Sequence, residues 1–281
     1  MMKVKFWGTR GSIPVPGKDT TMYGGNTTCL EVGLDSGRKI IIDAGSGIRA
    51  LGAALAENNK SVDIHLLITH IHWDHILGFP FFAPIYEPDT LISVDGYPSC
   101  MKGLSLAFDN KLGDGFFPIK FEDLKAKIHH LETISQGPLI IDGVVIESIP
   151  LRHPQGGLGF RFREGNKSLV FITDNELPGG EVKECPEEYV QFCKDADILI
   201  HDAQYTPEER AKRVGWGHSD YLSALRLGIS AHVKRLVLFH HDPCRKDPEI
   251  DSLKAYCEEI ADKEKVEIQV DAAKEESEFV V

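Results

Sequence analysis

The chain has 281 residues, 42% hydrophobic and 26% charged, the composition of a globular protein long enough to bury a full core. Its net charge is −12, and half of that lies in residues 258–281, which hold nine acidic and three basic side chains; the remainder is still acidic, so a broad nucleic-acid footprint is not favoured. No apolar run approaches the ~20 residues of a membrane span, and the first residues lack the apolar core of a signal peptide, so a cytoplasmic protein without a membrane partner is expected.

In chain order, strands are predicted at Val4–Trp7, Cys29–Gly33 and Lys39–Ile42, then a helix at Ile48–Asn58 and a strand at Ile64–Ile68. The interval from about 79 to 136 is the least periodic. It carries Pro80, Pro84, Pro88, Pro98, Pro118 and a Gly113-Asp114-Gly115 turn around a strand at Leu91–Val94 and a helix at Pro98–Phe108. Such an interval can supply a lid or substrate-facing wall, or be an ordinary surface excursion. Strands follow at Val144–Ile149, Gly159–Arg163, Leu169–Ile172, Ile198–Ile200 and Leu236–Phe239. Helices are predicted at Pro186–Lys194, Pro207–Arg213, Asp220–Ala231 and Pro248–Lys263, the second opening on the capping sequence Thr206-Pro207-Glu208-Glu209. The end reads as a short strand at Val266–Val270 within a solvated acidic tail, about 266–281. This interleaving predicts one α/β domain over residues 1–281, with helices outside the sheets.

The six cysteines (Cys29, Cys100, Cys185, Cys193, Cys244 and Cys257) form no CxxC pair, so free, mostly buried thiols are expected rather than a disulfide framework. Cys244 lies near a histidine-rich stretch, where packing is the favoured role.

The chemistry concentrates in Thr69-His70-Ile71-His72-Trp73-Asp74-His75, directly after the apolar run Ile64–Ile68. Three imidazoles and a carboxylate thus emerge at a strand's end. His70 and His72, two apart, point the same way in extended chain, as two ligands of one ion must. Asp74 and His75, beyond a bend, can face a second ion. Imidazole with carboxylate suits zinc, manganese or iron. Four later segments repeat the pattern of an apolar strand ending in polar residues: Val145 to Pro154, Leu169 to Asn175, Ile198 to Ala203 and Leu236 to Pro243. Strand ends at one sheet edge are where sites are built.

On these residues the chain resembles a metallo-β-lactamase-fold hydrolase of the branch holding ribonuclease Z and the small phosphodiesterases. Thr69–His75 matches the HxHxDH motif. His153-Pro154 with Gly157-Leu158-Gly159-Phe160-Arg161 resembles the branch's histidine segment, and Thr173-Asp174-Asn175 sits where the bridging aspartate occurs. Phe6 to Gly11 and Ile42 to Gly47 resemble the glycine turns of the first strands. The likeness spans roughly residues 4–243. It implies an αββα sandwich of two mixed β-sheets and two divalent ions, zinc by default, with manganese or iron as alternatives. His70, His72 and His153 would then bind one ion, Asp74, His75 and His240 the other, and Asp174 both. His240 is preferred to His241 because it directly follows Leu236–Phe239, which leaves His241 a supporting or substrate contact.

Ribonuclease Z also carries a His-Glu pair and a His-Ser-Thr, thought to manage the leaving-group proton. Here the corresponding residues are His201-Asp202-Ala203-Gln204 and Gly217-His218-Ser219-Asp220, with aspartate in place of glutamate and no threonine. A His218–Asp202 pair would serve as an oriented general acid; the alternative is that Asp202 orients a ligand and His218 helps cap a helix. His65, His129, His130, His201 and His232 lack a motif and are expected to be structural or solvent-facing. The glycines of Tyr23-Gly24-Gly25-Asn26-Thr27-Thr28 fit tight turning as well as phosphate contact.

The leading expectation is therefore a dinuclear phosphodiesterase, using a metal-bridging hydroxide with Asp74 as ligand and proton holder, that hydrolyses a cyclic nucleotide or other small phosphodiester. The alternatives are tRNA 3′-end processing, disfavoured by the acidic chain and by the lack of a basic glycine/proline-rich arm; a lactonase or thioesterase, since fold does not fix substrate; and a metal-holding regulatory module. The resemblance also allows a homodimer.

Overall fold

A computed structural model describes residues 1–58, 62–108, 117–179 and 184–281. The Gly113-Asp114-Gly115 turn lies outside the described residues. The strands are β1 (Lys3–Gly8), β2 (Cys29–Gly33), β3 (Lys39–Ile42), β4 (Asp63–Ile68), β5 (Leu91–Gly96), β6 (Lys127–His130), β7 (Leu139–Ile141), β8 (Val144–Pro150), β9 (Leu158–Glu164), β10 (Lys167–Ile172), β11 (Ile198–Asp202), β12 (Arg235–Phe239), β13 (Gln269–Ala272) and β14 (Glu278–Val280). They form two seven-stranded sheets, ordered β14-β1-β2-β3-β4-β5-β6 and β13-β12-β11-β10-β9-β8-β7. The helices are α1 (Ile48–Asn58), α2 (Trp73–Ile76), α3 (Cys100–Leu106), α4 (Glu187–Cys193), α5 (Pro207–Ala211), α6 (Tyr221–Ser230) and α7 (Asp247–Glu264).

The alternation of side chains along each strand sorts the apolar residues into three layers. Ile40, Ile42, Leu169 and Phe171 point between the sheets and meet Phe6, Phe160 and Phe239 in a central core. Their neighbours in sequence point outward. Ile41, Leu66 and Ile68 pack under Ile48, Leu51 and Leu104 of α1 and α3. Val170, Ile172 and Leu199 pack under Tyr189, Leu225 and Cys257 of α4, α6 and α7. Strands buried on both faces need unbroken apolar runs, which is why these segments read so plainly in the sequence. The result is the expected αββα sandwich of two mixed sheets.

Strands β3 to β6 run parallel, as do β10 to β13. Their carboxyl ends bring Asp43, Thr69–His70, Asp174, Asp202 and His240 to one rim of the sandwich, the edge where open α/β sheets hold their ligands.

Two features depart from the sequence reading, the acidic tail and Cys244. The acidic tail is not solvated: β13 pairs parallel with β12 over Arg235↔Gln269 to Leu238↔Ala272, and β14 pairs antiparallel with β1. Phe279 packs edge-on against Phe6 with ring centres 5.9 Å apart and Val281 is buried, so a few apolar groups anchor the segment; Glu276 and Glu278 are exposed, whereas Glu275 is half-buried and accepts from the Asn26 N–H at 2.6 Å. Within 79–136, β5 and β6 join the first sheet, and Tyr97 and Ser99 line a cavity with His70 and His72. Cys244 is exposed rather than packed, and all six thiols are free. No helix among the described residues is long and apolar enough to cross a membrane.

Candidate metal centre

The site grows from the turn after β4. His72 keeps an extended backbone and precedes the single turn of α2, which swings Asp74 and His75 inward behind it. His70 Nε2 comes within 3.1 Å of His72 Nδ1, which lies 2.9 Å from His153 Nε2. Asp174 Oδ2 is 3.6 Å from His70 Nε2 and 3.7 Å from His153 Nε2. The other carboxylate oxygen, Oδ1, is 3.2 Å from His75 Nε2 and 3.1 Å from His240 Nε2. Asp74 Oδ2 closes this second group, 3.3 Å from His75 Nε2 and 3.2 Å from His240 Nε2.

These spacings suit divalent metal ions. Four donors at ~2.05 Å around a tetrahedral ion stand roughly 3.3 Å apart. His70, His72, His153 and Asp174 form one such group, and Asp74, His75, His240 and Asp174 another. His75 Nε2 is buried and makes no hydrogen bond, an orphaned lone pair that a metal would satisfy. Burial would raise the carboxyls of Asp74 and Asp174, but the surrounding imidazoles outweigh it and hold both well below the usual carboxylate range.

The outer nitrogens are held with equal care. Asp43, buried at the end of β3, accepts from His75 Nδ1 at 2.8 Å and from the Thr69 hydroxyl, also at 2.8 Å. That hydroxyl lies 3.1 Å from His70 Nδ1, so one carboxylate orients two imidazoles. His153 Nδ1 donates to the Gly217 carbonyl at 3.0 Å, and His240 Nδ1 to Gln204 Oε1 at 3.0 Å. The backbone N–H of Ser12 donates to Asp74 Oδ2 at 2.7 Å. Asp43, Asp174 and His240 all adopt left-handed backbone, with φ of 62°, 48° and 59°. Non-glycine residues held there cost about 1–3 kcal/mol each, which the packed sheets sustain.

The seven residues named as metal ligands, together with Asp202 and His218, all reach this rim. His218 Nδ1 lies 2.8 Å from Asp202 Oδ2, and its ring stacks on His240 at 5.1 Å. Burial would lower the His218 imidazole, but Asp202 overrides it and raises the group to about 9. His218 does not cap a helix: Asp220 caps α6 by accepting from the Ser223 N–H. His241, in contrast, turns away and donates to the Ala273 carbonyl at 2.8 Å. Burial pushes it down to about 3, so it is a neutral core imidazole rather than a supporting or substrate contact. His201 is fully buried with Nδ1 on the Asp202 carbonyl, as a structural histidine would be. The sequence reading missed Asp43, Gln204 and Glu176, whose carboxylate accepts from the N–H of Gly217 at 2.8 Å, the residue whose carbonyl holds His153. Asp43 alone carried a visible signal, a lone carboxylate closing the all-apolar strand Ile40–Ile42.

A two-sheet sandwich with a shared-aspartate His/Asp cluster at its strand ends defines a metal-dependent hydrolase. The model of the Beta-lactamase superfamily domain matches residues 38–241, and the chain belongs to that superfamily. Ribonuclease Z of Clostridium tetani is 25% identical over 299 aligned residues, covering 89% of this chain and 91% of that protein. A diphosphatase from the PhnP family superposes with a TM-score of 0.70 at 17% identity, over 100% of this chain and 98% of that one. The short form of human tRNase Z superposes with a TM-score of 0.66 at 18% identity, covering 99% of both chains.

Proposed function

We propose that this hydrolase is a dinuclear phosphodiesterase acting on small phosphodiesters, cyclic nucleotides among them. The observation that carries the proposal is the His218–Asp202 pair at 2.8 Å, stacked against the cluster in which Asp174 divides its two oxygens. His70, His72 and His153 would hold one ion, Asp74, His75 and His240 the second, and Asp174 both. Zinc fits the nitrogen-rich donor set best. Bound there, divalent ions supply Lewis-acid charge and a water of lowered pKa.

The chain's own groups do the rest. Asp202 fixes the proton on His218 Nδ1, which leaves the Nε2 proton to pass to the departing alkoxide oxygen. Asp74, anchored by the Ser12 N–H, can accept the nucleophile's proton on its second oxygen. The rim is closed beneath by Asp43 and Gln204, so these imidazoles need little reorganisation when substrate arrives.

His218→Asn tests the assignment. Cyclic AMP has a poor alkoxide leaving group and should lose about 10²–10⁴-fold in kcat. Bis(p-nitrophenyl) phosphate leaves without an acid and should lose far less. Equal losses on both would remove His218 from the proton-transfer step. Activity only on a lactone or a thioester would replace the phosphodiester reading altogether. The ribonuclease Z relatives support a second reading, endonucleolytic cleavage near an RNA 3′ end, and a precursor tRNA belongs in the same panel. The acidic chain argues against that substrate.

A further inference from the structure

His153 and His218 stand on different loops, and their rings meet with centres 5.2 Å apart. One short segment holds both loops. Asp174 leaves β10 in left-handed backbone, and the three residues after it bond in two directions. Toward His153, the Arg152 N–H donates to Asn175 Oδ1 and the Glu176 N–H to the Arg152 carbonyl, each at 2.9 Å. Toward His218, the Leu177 N–H donates to Ser219 Oγ at 3.0 Å, and that hydroxyl donates to the Asn175 carbonyl. The Glu176 carboxylate completes the second set. Both its oxygens accept from the Gly215 N–H, at 3.0 and 2.9 Å, and one accepts from the Gly217 N–H at 2.8 Å. Arg210, from α5, pairs with the same carboxylate at 3.2 Å.

The two directions join at Gly217. Its carbonyl accepts from His153 Nδ1 at 3.0 Å, and His218 is the next residue. A Cβ at position 217 would stand 2.0 Å from His153 Nδ1, and φ is +86°, so only glycine fits. Glycine is also the residue least able to hold its own backbone in one conformation. The turn therefore needs anchors on both sides of residues 217 and 218. Ser219 supplies the one after them. Before them, the acceptor for the Gly217 amide is Glu176, and a charged acceptor binds an N–H about twice as strongly as a neutral one. Rotation about Gly217 would at once turn its carbonyl from His153 and carry His218 away from Asp202, now 2.8 Å from its Nδ1.

We propose that Glu176 is a positioning residue for hydrolysis. By clamping the glycine turn, one carboxylate sets both the ring of His153 toward its ion and the imidazole of His218 toward the leaving group. The part played through His218 rests on the phosphodiesterase reading; the part played through His153 needs only a metal-dependent hydrolase. A carboxylate that served stability alone would alter neither metal affinity nor the dependence on leaving group.

The test compares Glu176→Ala and Glu176→Gln with Asp197→Asn, a destabilising change far from the rim, at a temperature where circular dichroism shows all three folded. Glu176→Gln keeps an oxygen for the Gly215 and Gly217 amides. Zinc affinity is read by chelator competition, and kcat at saturating zinc on cyclic AMP and on bis(p-nitrophenyl) phosphate. Glu176→Ala should weaken one zinc ion about 10–100-fold, as loosening the group that holds a ligating histidine's other nitrogen does. Its kcat should fall about 10–100-fold on cyclic AMP, from a displaced proton donor, and less than about 3-fold on the ester that leaves without an acid. Glu176→Gln should recover most of both losses, and Asp197→Asn should show neither. Unchanged zinc affinity in Glu176→Ala, equal losses on the two esters, or a Glu176→Gln as impaired as Glu176→Ala would overturn the proposal. If wild type turns over neither ester, the phosphodiesterase reading fails, and the zinc comparison alone decides whether Glu176 positions His153. If it turns over both and Glu176→Ala changes nothing, that reading stands and this proposal falls.

Discussion

At the scale of single residues, Gln204 decides which nitrogen His240 offers. Its side-chain oxygen accepts from Nδ1 at 3.0 Å, so the lone pair on Nε2 faces Asp74 and Asp174. Gln204→Leu frees the ring to turn or change tautomer, and should weaken metal binding at the Asp74–His75–His240 group about 10–100-fold. Gln204→Glu keeps the acceptor and should retain binding; chelator competition separates the two, and equal affinity in both would show that Gln204 only fills space. Asp197 makes a different kind of contribution, far from the rim. Burial opposes its charge, but Lys234 at 2.8 Å, the Ser168 N–H at 2.9 Å and Lys167 at 3.3 Å outweigh it and lower its pKa. A carboxylate depressed in the folded state stabilises above its unfolded value near ~3.9 and loses that contribution as pH falls through the folded value. Asp197→Asn should therefore cost about 1–2 kcal/mol at pH 7 in denaturant titration, with the gap to wild type closing below pH ~3.9.

At the scale of elements, the turn from 213 to 217 depends on one carboxylate. Glu176→Ala removes the acceptor for the Gly215 and Gly217 N–H groups and the anionic partner of Arg210, whose guanidinium keeps the Leu177 carbonyl. The cost should be about 2–3 kcal/mol, read as a fall in melting temperature together with faster hydrogen exchange at those two amides. Exchange unchanged at Gly215 and Gly217 would mean that the turn holds itself. The elements legible in the sequence were those whose signal is local. Runs such as Leu169–Ile172 and Leu236–Phe239 are apolar throughout because both faces are buried. The helix over Pro207–Ala211 advertises its Thr206 cap. The strands β6, β7 and β14 were not legible. Lys127–His130 is exposed and polar, and Glu278–Val280 has three residues that become a strand only because the edge of β1, some 275 residues earlier, accepts it. Such pairing belongs to topology rather than propensity.

Across the whole molecule, the candidate site follows the same division. His70, His72, Asp74, His75, His153, Asp174 and His240 all end apolar strands or lie just beyond them, and a repeated pattern of that kind can be read from one chain. Asp43, Gln204 and Glu176 act through hydrogen bonds that cross 32, 36 and 41 positions of sequence, and nothing near them announces the partner. The two sheets contribute unequal shares: His70, His72, Asp74 and His75 come from the first, and His153, Asp174, Asp202, His218 and His240 from the second. The rim is thus assembled only when the sandwich closes.

Asp174 gives its Oδ2 to one group of histidines and its Oδ1 to the other, from a backbone fixed at φ 48°. Filling one half immobilises that carboxylate and lowers the entropic cost of filling the other. The two halves should consequently load as a pair. Native mass spectrometry during a zinc titration should pass from empty protein to the two-ion form with the one-ion species scarce, and Asp174→Ala should abolish that coupling. A dominant one-ion species at half-saturation would show that the halves load independently of one another.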